Sequence, residues 1–363
     1  YVQRVFYELG NDKFISNWHL EVLCDALERA RRGEIKRLII NVPPRSLKSI
    51  VVNVAYSTWL LGQDPRERIV SVSYSAELAD KFARDSKIIM ESDWYRRIFP
   101  RTVISKNRST PSDFNTTARG GRYTTSVDGT MTGRGGNVII IDDPIKPTDT
   151  GSESALNKVN EWYRNTMLSR LDDQQNGMII VIMQRVHEDD LTGYLLENST
   201  EWTHIKIPEI AITDETWTVG SKVFHRAIGR PLNPARLPME IIESKRLELG
   251  TYVWSAQYQQ EPCPIDGGIV KESWLHYYSN QMFDINTVAR VFISWDTANK
   301  TGASNAYSAA VAVVMTYDRH FYLVDIYRDR WDMPSLVKTA IDIYNQWKYK
   351  TDAGAKVEML VED

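Results

Sequence analysis

The chain has 363 residues, enough for two domains with complete cores. Charged residues make up 25% and hydrophobic residues 42%, the composition of an ordinary soluble globular protein, and no apolar run reaches transmembrane length. The net charge of −3 gives no general attraction to nucleic acid, which leaves a local basic face as the only electrostatic route to one.

The two cysteines, Cys24 and Cys263, lie far apart without metal-ligand spacing, which points to a reducing compartment. No secretory signal is present. The chain begins at Tyr1 and stops inside a strand-like stretch at Asp363, so it reads as a fragment at both ends.

Residues 17–30 (NWHLEVLCDALERA) carry Leu20, Leu23, Leu27 and Ala30 at helical spacing. Trp18 and His19 at its start are an aromatic and polar pair that can hold an adenine or cap and pack the helix. Residues 37–42 (RLIINV) read as a buried parallel strand, and residues 50–61 read as a helix. Between them stands Pro43-Pro44-Arg45-Ser46-Leu47-Lys48-Ser49. Strand, tight loop, Lys-Ser and helix form the layout of a phosphate-binding loop. The loop from Pro44 to Ser49 would hold the phosphates of ATP, with backbone N–H groups from Arg45 onward facing them; Lys48 would add charge beside them, and Ser49 would offer a hydroxyl to Mg2+. The usual glycine before the lysine is replaced by Leu47.

Residues 68–74 (RIVSVSY) alternate as a strand, and Ser75 caps a helix running to Met90. Arg96, Arg97, Arg101, Lys106 and Arg108 follow in a loop-like region interleaved with Trp94, Tyr95 and Phe99. That mixture suits a DNA backbone or a charged surface over a small core. Gly120-Gly121 reads as a tight turn, and the loop at 132–136 carries Arg134. Residues 137–144 (NVIIIDDP) are an apolar strand ending in two carboxylates. Beside a phosphate loop the first, Asp142, orients Mg2+ through water, and the second, Asp143, can polarise the attacking water. A long helix over 152–171 and a buried strand over 177–183 follow. The strand ends in Gln184-Arg185, and Gln184 can sense the γ-phosphate. Glu188 to Asp190 read as acids of a first helical turn. Alternating strands and helices predict a parallel sheet covered on both faces.

Prolines from Pro208 to Pro264 break this pattern, and residues 206–285 read as a linker or small subdomain between an amino-terminal domain (1–205) and a final one (286–363). Within it only 239–249 and 252–260 look helical. Strands at 290–296, 308–317 and 320–329, a helix at 334–348 and a strand at 356–362 then follow a ribonuclease-H-like order. It makes the first and fourth strands neighbours, so that Asp296 and Glu362 face one site. Two carboxylates there could hold two divalent ions for phosphodiester cleavage. Asp325 reads as a structural residue.

Together these stretches resemble the large terminase subunit of tailed bacteriophages and prophages. The motifs are VPPRSLKS at 42–49, TGRGG at 132–136, IIIDDP at 139–144, VIMQRVHEDDL at 181–191, AQYQQEP at 256–262, and Asp296 with Val361-Glu362-Asp363. The resemblance spans nearly the whole chain and implies an α/β fold, a P-loop ATPase followed by a ribonuclease-H-like nuclease. It implies a motor that drives double-stranded DNA into a procapsid, with ATP and Mg2+ at one site and two Mg2+ or Mn2+ at the other. Implied partners are the portal protein, a small terminase subunit and further copies in a ring. The implied setting is the host bacterial cytoplasm, with transient docking on the portal, no place in the mature virion and no membrane. Carried over by residue, Lys48 and Ser49 match phosphate and Mg2+ ligands, and Arg45 matches a loop arginine near the γ-phosphate. Asp142 matches the Mg2+-side acid, and Asp143 stands where the family has a glutamate. Gln184 matches part of a coupling motif, and Asp296 and Glu362 match two nuclease acids. A third nuclease acid is expected beyond the chain's end, so the nuclease domain and its site are expected to be incomplete in this chain. Arg134 is expected to reach a neighbouring subunit. Two other readings compete: a helicase-like translocase, against which the second half lacks a second nucleotide fold, and a non-catalytic assembly protein with a relic loop, which Leu47 favours.

Overall fold

Asn17 starts the first long helix by accepting the Trp18 N–H at 2.8 Å, so α2 (Trp18–Arg31) follows a short α1 (Val2–Glu8). The apolar run after it forms β1 (Arg37–Asn41), and the segment beyond the loop forms α3, π-wound over Ile50–Tyr56 and α-helical over Ser57–Gln63. β2 (Arg68–Ser73) leads to α4 (Ala76–Glu91), whose Ser75 cap accepts the Leu78 N–H. The region expected to be loop-like instead holds α5 (Asp93–Ile98) and β3 (Ile104–Ser109), which continue into β4 (Asp113–Thr116) and β5 (Gly121–Ser126). The acidic run is β6 (Val138–Asp142). The long helix expected at 152–171 is α6 (Glu153–Trp162), followed by a π turn and a 3-10 turn to Arg170. β7 (Met178–Met183), α7 (Leu191–Asn198) and β8 (Thr203–Lys206) follow. A hairpin, β9 (Glu215–Val219) and β10 (Lys222–Arg226), precedes α8 (Met239–Val253) and a π turn at Trp254–Tyr258. The last elements are β11 (Val288–Asp296), β12 (Ser308–Thr316), β13 (Phe321–Asp329), α9 (Met333–Lys350) and β14 (Lys356–Val361).

This computed structural model describes residues 1–10, 13–110, 112–129, 133–263, 276, 278, 284–297, 307–351 and 355–361, without the side chains of 107–109. The chain divides into two compact units, Tyr1–Ile269 and Val270–Asp363.

In the first unit eight strands run in the order β3-β4-β5-β2-β6-β7-β1-β8. From β5 to β8 all pairs are parallel, and β3 to β5 add an antiparallel edge. Central strands are apolar on both sides because both faces are covered. Leu38, Ile40, Ile140 and Ile180 join one core with α2 and α3, whereas Ile39, Ile139, Ile141 and Val181 join another with α6 and α7. The expected α/β architecture holds. The aromatic residues among the arginines at 94–101 belong to the first core: Tyr95 is fully buried and donates its hydroxyl proton to the Thr58 carbonyl at 2.7 Å. Arg96, Arg97 and Arg101 are exposed above that core.

In the second unit four strands run in the order β13-β12-β11-β14. β11 to β13 form an antiparallel meander, and β14 lies parallel to β11 with Trp295 beside Val361. This is the strand order expected from the sequence. Leu336, Ile343 and Trp347 of α9 cover one face over Ile293, Trp295 and Ala312.

Candidate active site

The loop after β1 is shaped by two residues in left-handed backbone, Arg45 and Leu47, each at φ 65°. For residues with a Cβ this costs about 1–2 kcal/mol apiece. Left-handed residues in a tight turn bring successive N–H groups to one side, as in anion-binding nests. The Ser46 hydroxyl donates to the Pro43 carbonyl at 2.7 Å and closes the turn. From α2, His19 sets Nε2 3.2 Å from the Ser46 carbonyl. Burial pulls the His19 pKa down to about 4, so its ring is neutral at pH 7 and Nε2–H is the donor. Its Nδ1 is buried without a partner among the described residues. Trp18, next to it, packs against Trp217 and Phe224 of the β9–β10 hairpin, with the Arg226 guanidinium 5.4 Å over its ring.

Three elements converge just beyond the loop. Lys48 Nζ donates to Asp143 Oδ1 at 2.7 Å and to Gln184 Oε1 at 3.1 Å. The Gln184 backbone N–H also donates to Asp143 Oδ1, at 3.2 Å. The Ser49 hydroxyl donates to Asp142 Oδ1 at 3.0 Å, and Asn53 Nδ2 donates to Asp142 Oδ2 at 2.9 Å. Residues about a hundred apart in sequence thus meet because β1, β6 and β7 are adjacent and end together. Asp142 is fully buried. Burial first, and the charge of Asp143 second, push its pKa up to about 7, while Lys48, Asn53 and Ser49 pull the other way. Asp143 turns sharply out of the strand at φ 44°.

Cations gather at the loop's mouth. Arg45 is exposed and close enough to Arg236 for its charge to reinforce the lowering of the Arg236 pKa that burial begins. Burial lifts buried Glu209 to about 7 against the pull of Arg236 and Arg226. Like charges that repel one another at a loop's mouth are relieved by an anion. Behind the tip of β7, Arg185 and Asp190 form a buried pair at 2.9 Å. Asp190 also caps α7 through the Gly193 N–H at 3.0 Å, a more specific role than a first-turn acid. The 256–262 motif braces this tip. Gln260 Oε1 accepts the Arg185 N–H at 2.9 Å, Gln259 bonds both the N–H and C=O of Ile210, and Glu261 pairs with Lys206.

No protein-family model matches the chain, and no curated protein matches it. Solved structures do resemble it in shape. The large terminase of bacteriophage HK97 has a TM-score of 0.44 at 11% identity, over 99% of this chain and 74% of that one. The large terminase of a thermophilic bacteriophage, in complex with ADP, has a TM-score of 0.38 at 9% identity, over 93% of this chain and 76% of that one. The large terminase ATPase domain of a Thermus phage has a TM-score of 0.39 at 12% identity, over 70% of this chain and 95% of that one. At such identities and scores the functional reading rests on the site's own residues.

Of the residues singled out in the sequence, the structure brings together Pro44 to Ser49, His19, Asp142, Asp143 and Gln184. Trp18 lies one residue from the loop's support. Arg134 is elsewhere. It precedes β6, pairs with Asp113 at 2.8 Å, and lies over the Tyr123 ring at 4.9 Å. With Arg68 and Arg119 it lines a polar cavity of ≈ 280 Å³ at the sheet end opposite the loop. Asp296 ends β11 and is exposed on the face turned away from Trp295 and α9. Thr132, Glu362 and Asp363 lie outside the described residues. Asp325 accepts the Tyr327 hydroxyl proton at 2.8 Å, as a structural residue would. Asn53, Arg236 and Glu209 were not foreseen. Asn53 is one helical turn beyond Ser49, a spacing that could have flagged it.

Proposed function

We propose that the first unit hydrolyses ATP at the Lys48 loop and that the whole chain uses this turnover to move double-stranded DNA. The observation that supports it best is the Lys48–Asp143 contact beside Ser49–Asp142, which sets a phosphate cation, a hydroxyl and two acids at one point. Ser49 and Asp142 offer hard oxygen donors, the kind Mg2+ shares with substrate phosphates. Among the described residues there is no group of three His, Cys, Asp or Glu side chains that would cage a metal alone, which fits an ion held partly by substrate. When bound, Mg2+ neutralises charge on the phosphates.

The residues suggest how turnover is gated. The Lys48 ammonium is engaged by Asp143 and Gln184, and the β- and γ-phosphates compete for it. Asp143 then keeps only the Gln184 N–H, and its freed lone pairs can take a proton from a water aligned on the γ-phosphate. Arg45 and Arg236 supply positive charge at the mouth. The portal protein, a small terminase subunit and a ring of copies are the partners that the sequence resemblance suggests, with Arg134 reaching toward a neighbour. Asp143→Asn retains ATP binding and loses about 10²- to 10⁴-fold in turnover. An Asn variant that hydrolyses at the wild-type rate contradicts this assignment.

For the second unit we propose divalent-metal nuclease activity at Asp296, supported by the strand order and the exposed end of β11. Mn2+-dependent nicking of plasmid DNA is expected to fall in Asp296→Ala. Nicking that persists undiminished would remove Asp296 from the site.

A further inference from the structure

A guanidinium stands in the middle of the first unit's core, hydrogen-bonded only to neutral groups among the described residues, with the carboxylates of Asp142 and Asp85 near enough to favour its charge. Arg122, on β5, is 1% exposed. It donates to the backbone carbonyl and side-chain Oδ1 of Asn53, to Ser86 Oγ at 2.7 Å, and to Ser71 Oγ and Thr124 Oγ1 at 3.2 Å. Burying such a charge is costly unless it is paired and hydrogen-bonded.

The bonds around Asn53 indicate its role. An asparagine amide has one accepting and one donating end; a protonated Asp142 could meet either, an ionised one only the donating end. Asn53 Oδ1 takes the Ser71 hydroxyl proton at 2.7 Å and an Arg122 N–H. A serine hydroxyl could rotate and accept from a reversed amide. A guanidinium cannot, because it only donates. Arg122 therefore forbids the reversed amide and leaves Nδ2 as the group that meets Asp142 Oδ2. Asn53 lies in the π-wound turn of α3, the winding often seen at functional sites, and its carbonyl there also accepts from Arg122.

We infer that Arg122 is a positioning residue which, through Asn53, fixes the Asp142 carboxylate with Oδ1 turned to Ser49 for the Mg2+ that accompanies nucleotide. The inference rests on the reading of Asp142 as the Mg2+-side acid. It goes further in tying that acid to β5 and α4, elements outside the loop and acid strands.

The test is the affinity for a fluorescent ADP, measured in EDTA and again in Mg2+. The wild type binds more tightly with Mg2+. In Arg122→Met the gain from Mg2+ falls about 10- to 100-fold, the usual effect of removing a group that orients a metal ligand, with affinity in EDTA unchanged. Arg122→Lys, which keeps a donor and the charge, recovers part of it. Ser71→Ala and Asn53→Leu carry the same measurement if Arg122→Met does not fold, and Asn53→Leu is expected to lose the gain. A purely structural role would lower the melting temperature and leave the Mg2+ gain intact. That gain, intact in the wild type and in folded Arg122→Met or Asn53→Leu, overturns the inference alone. A wild type that binds ADP with no gain from Mg2+ overturns the reading of Asp142 and this inference with it.

Discussion

Leu47 is the residue at which the loop departs from its usual form, and its geometry explains how the departure is tolerated. At φ 65° a glycine would be free of steric cost, which is why glycine suits this position. Leucine accepts the strain because its side chain is half-buried and packs against the core beneath the loop. Leu47→Gly loses that packing and relieves the strain. Leu47→Ala loses the packing and keeps the strain. Leu47→Gly is therefore expected to be more stable than Leu47→Ala by about 1 kcal/mol, read from chemical denaturation. The opposite order would show that the left-handed backbone carries no cost here. At this scale the residues that meet beyond the loop were legible, since Lys48-Ser49 opens an apolar helix after a strand and tight loop and Asp142-Asp143 ends an apolar run. Arg122 was not. A single arginine in a short strand looks like any surface charge until Asn53, Ser71 and Ser86 are seen around it.

Elements were legible in proportion to their hydrophobic pattern. β1, β6 and β7 are built on unbroken apolar runs (38–40, 138–141 and 178–183), and their residues stand in the parallel sheet as expected. β4 (DFNT) is short and polar, and its existence depends on pairing with β5 across the Gly120-Gly121 turn. A Cβ on Gly120 would come within 2.3 Å of the Pro65 carbonyl, so that turn needs the glycine. The β9–β10 hairpin sits among prolines that masked it, and it is held by the Arg226–Glu215 pair and by Trp18. The π windings of α3 and of the segment after α6 leave no trace in residue spacing. Asp190 joins two elements: it caps α7 and neutralises Arg185 at the tip of β7. Asp190→Ala leaves a buried guanidinium unpaired and is expected to cost about 3–5 kcal/mol in thermal or denaturant unfolding. A loss below about 1 kcal/mol would mean that Arg185 finds water or another partner.

Across the whole molecule, parallel topology assembles the site. Lys48 and Asp143 are 95 positions apart and Lys48 and Gln184 136 apart, yet they bond because three adjacent strands end at one edge. That convergence follows from the strand order, in which β7 lies between β1 and β6; the alternating strands and helices made the parallel sheet readable, not that order. The segment around Gln259 and Gln260, read from the sequence as part of a linker or small subdomain over 206–285, groups with the first unit, where it braces the tip of β7. The most direct test of the central claim is ATP turnover in Mg2+, with and without double-stranded DNA, by the wild type and by Lys48→Ala. The account predicts turnover that DNA stimulates and that Lys48→Ala abolishes. Turnover unaffected by Lys48→Ala, or none in the wild type with DNA present, would contradict it.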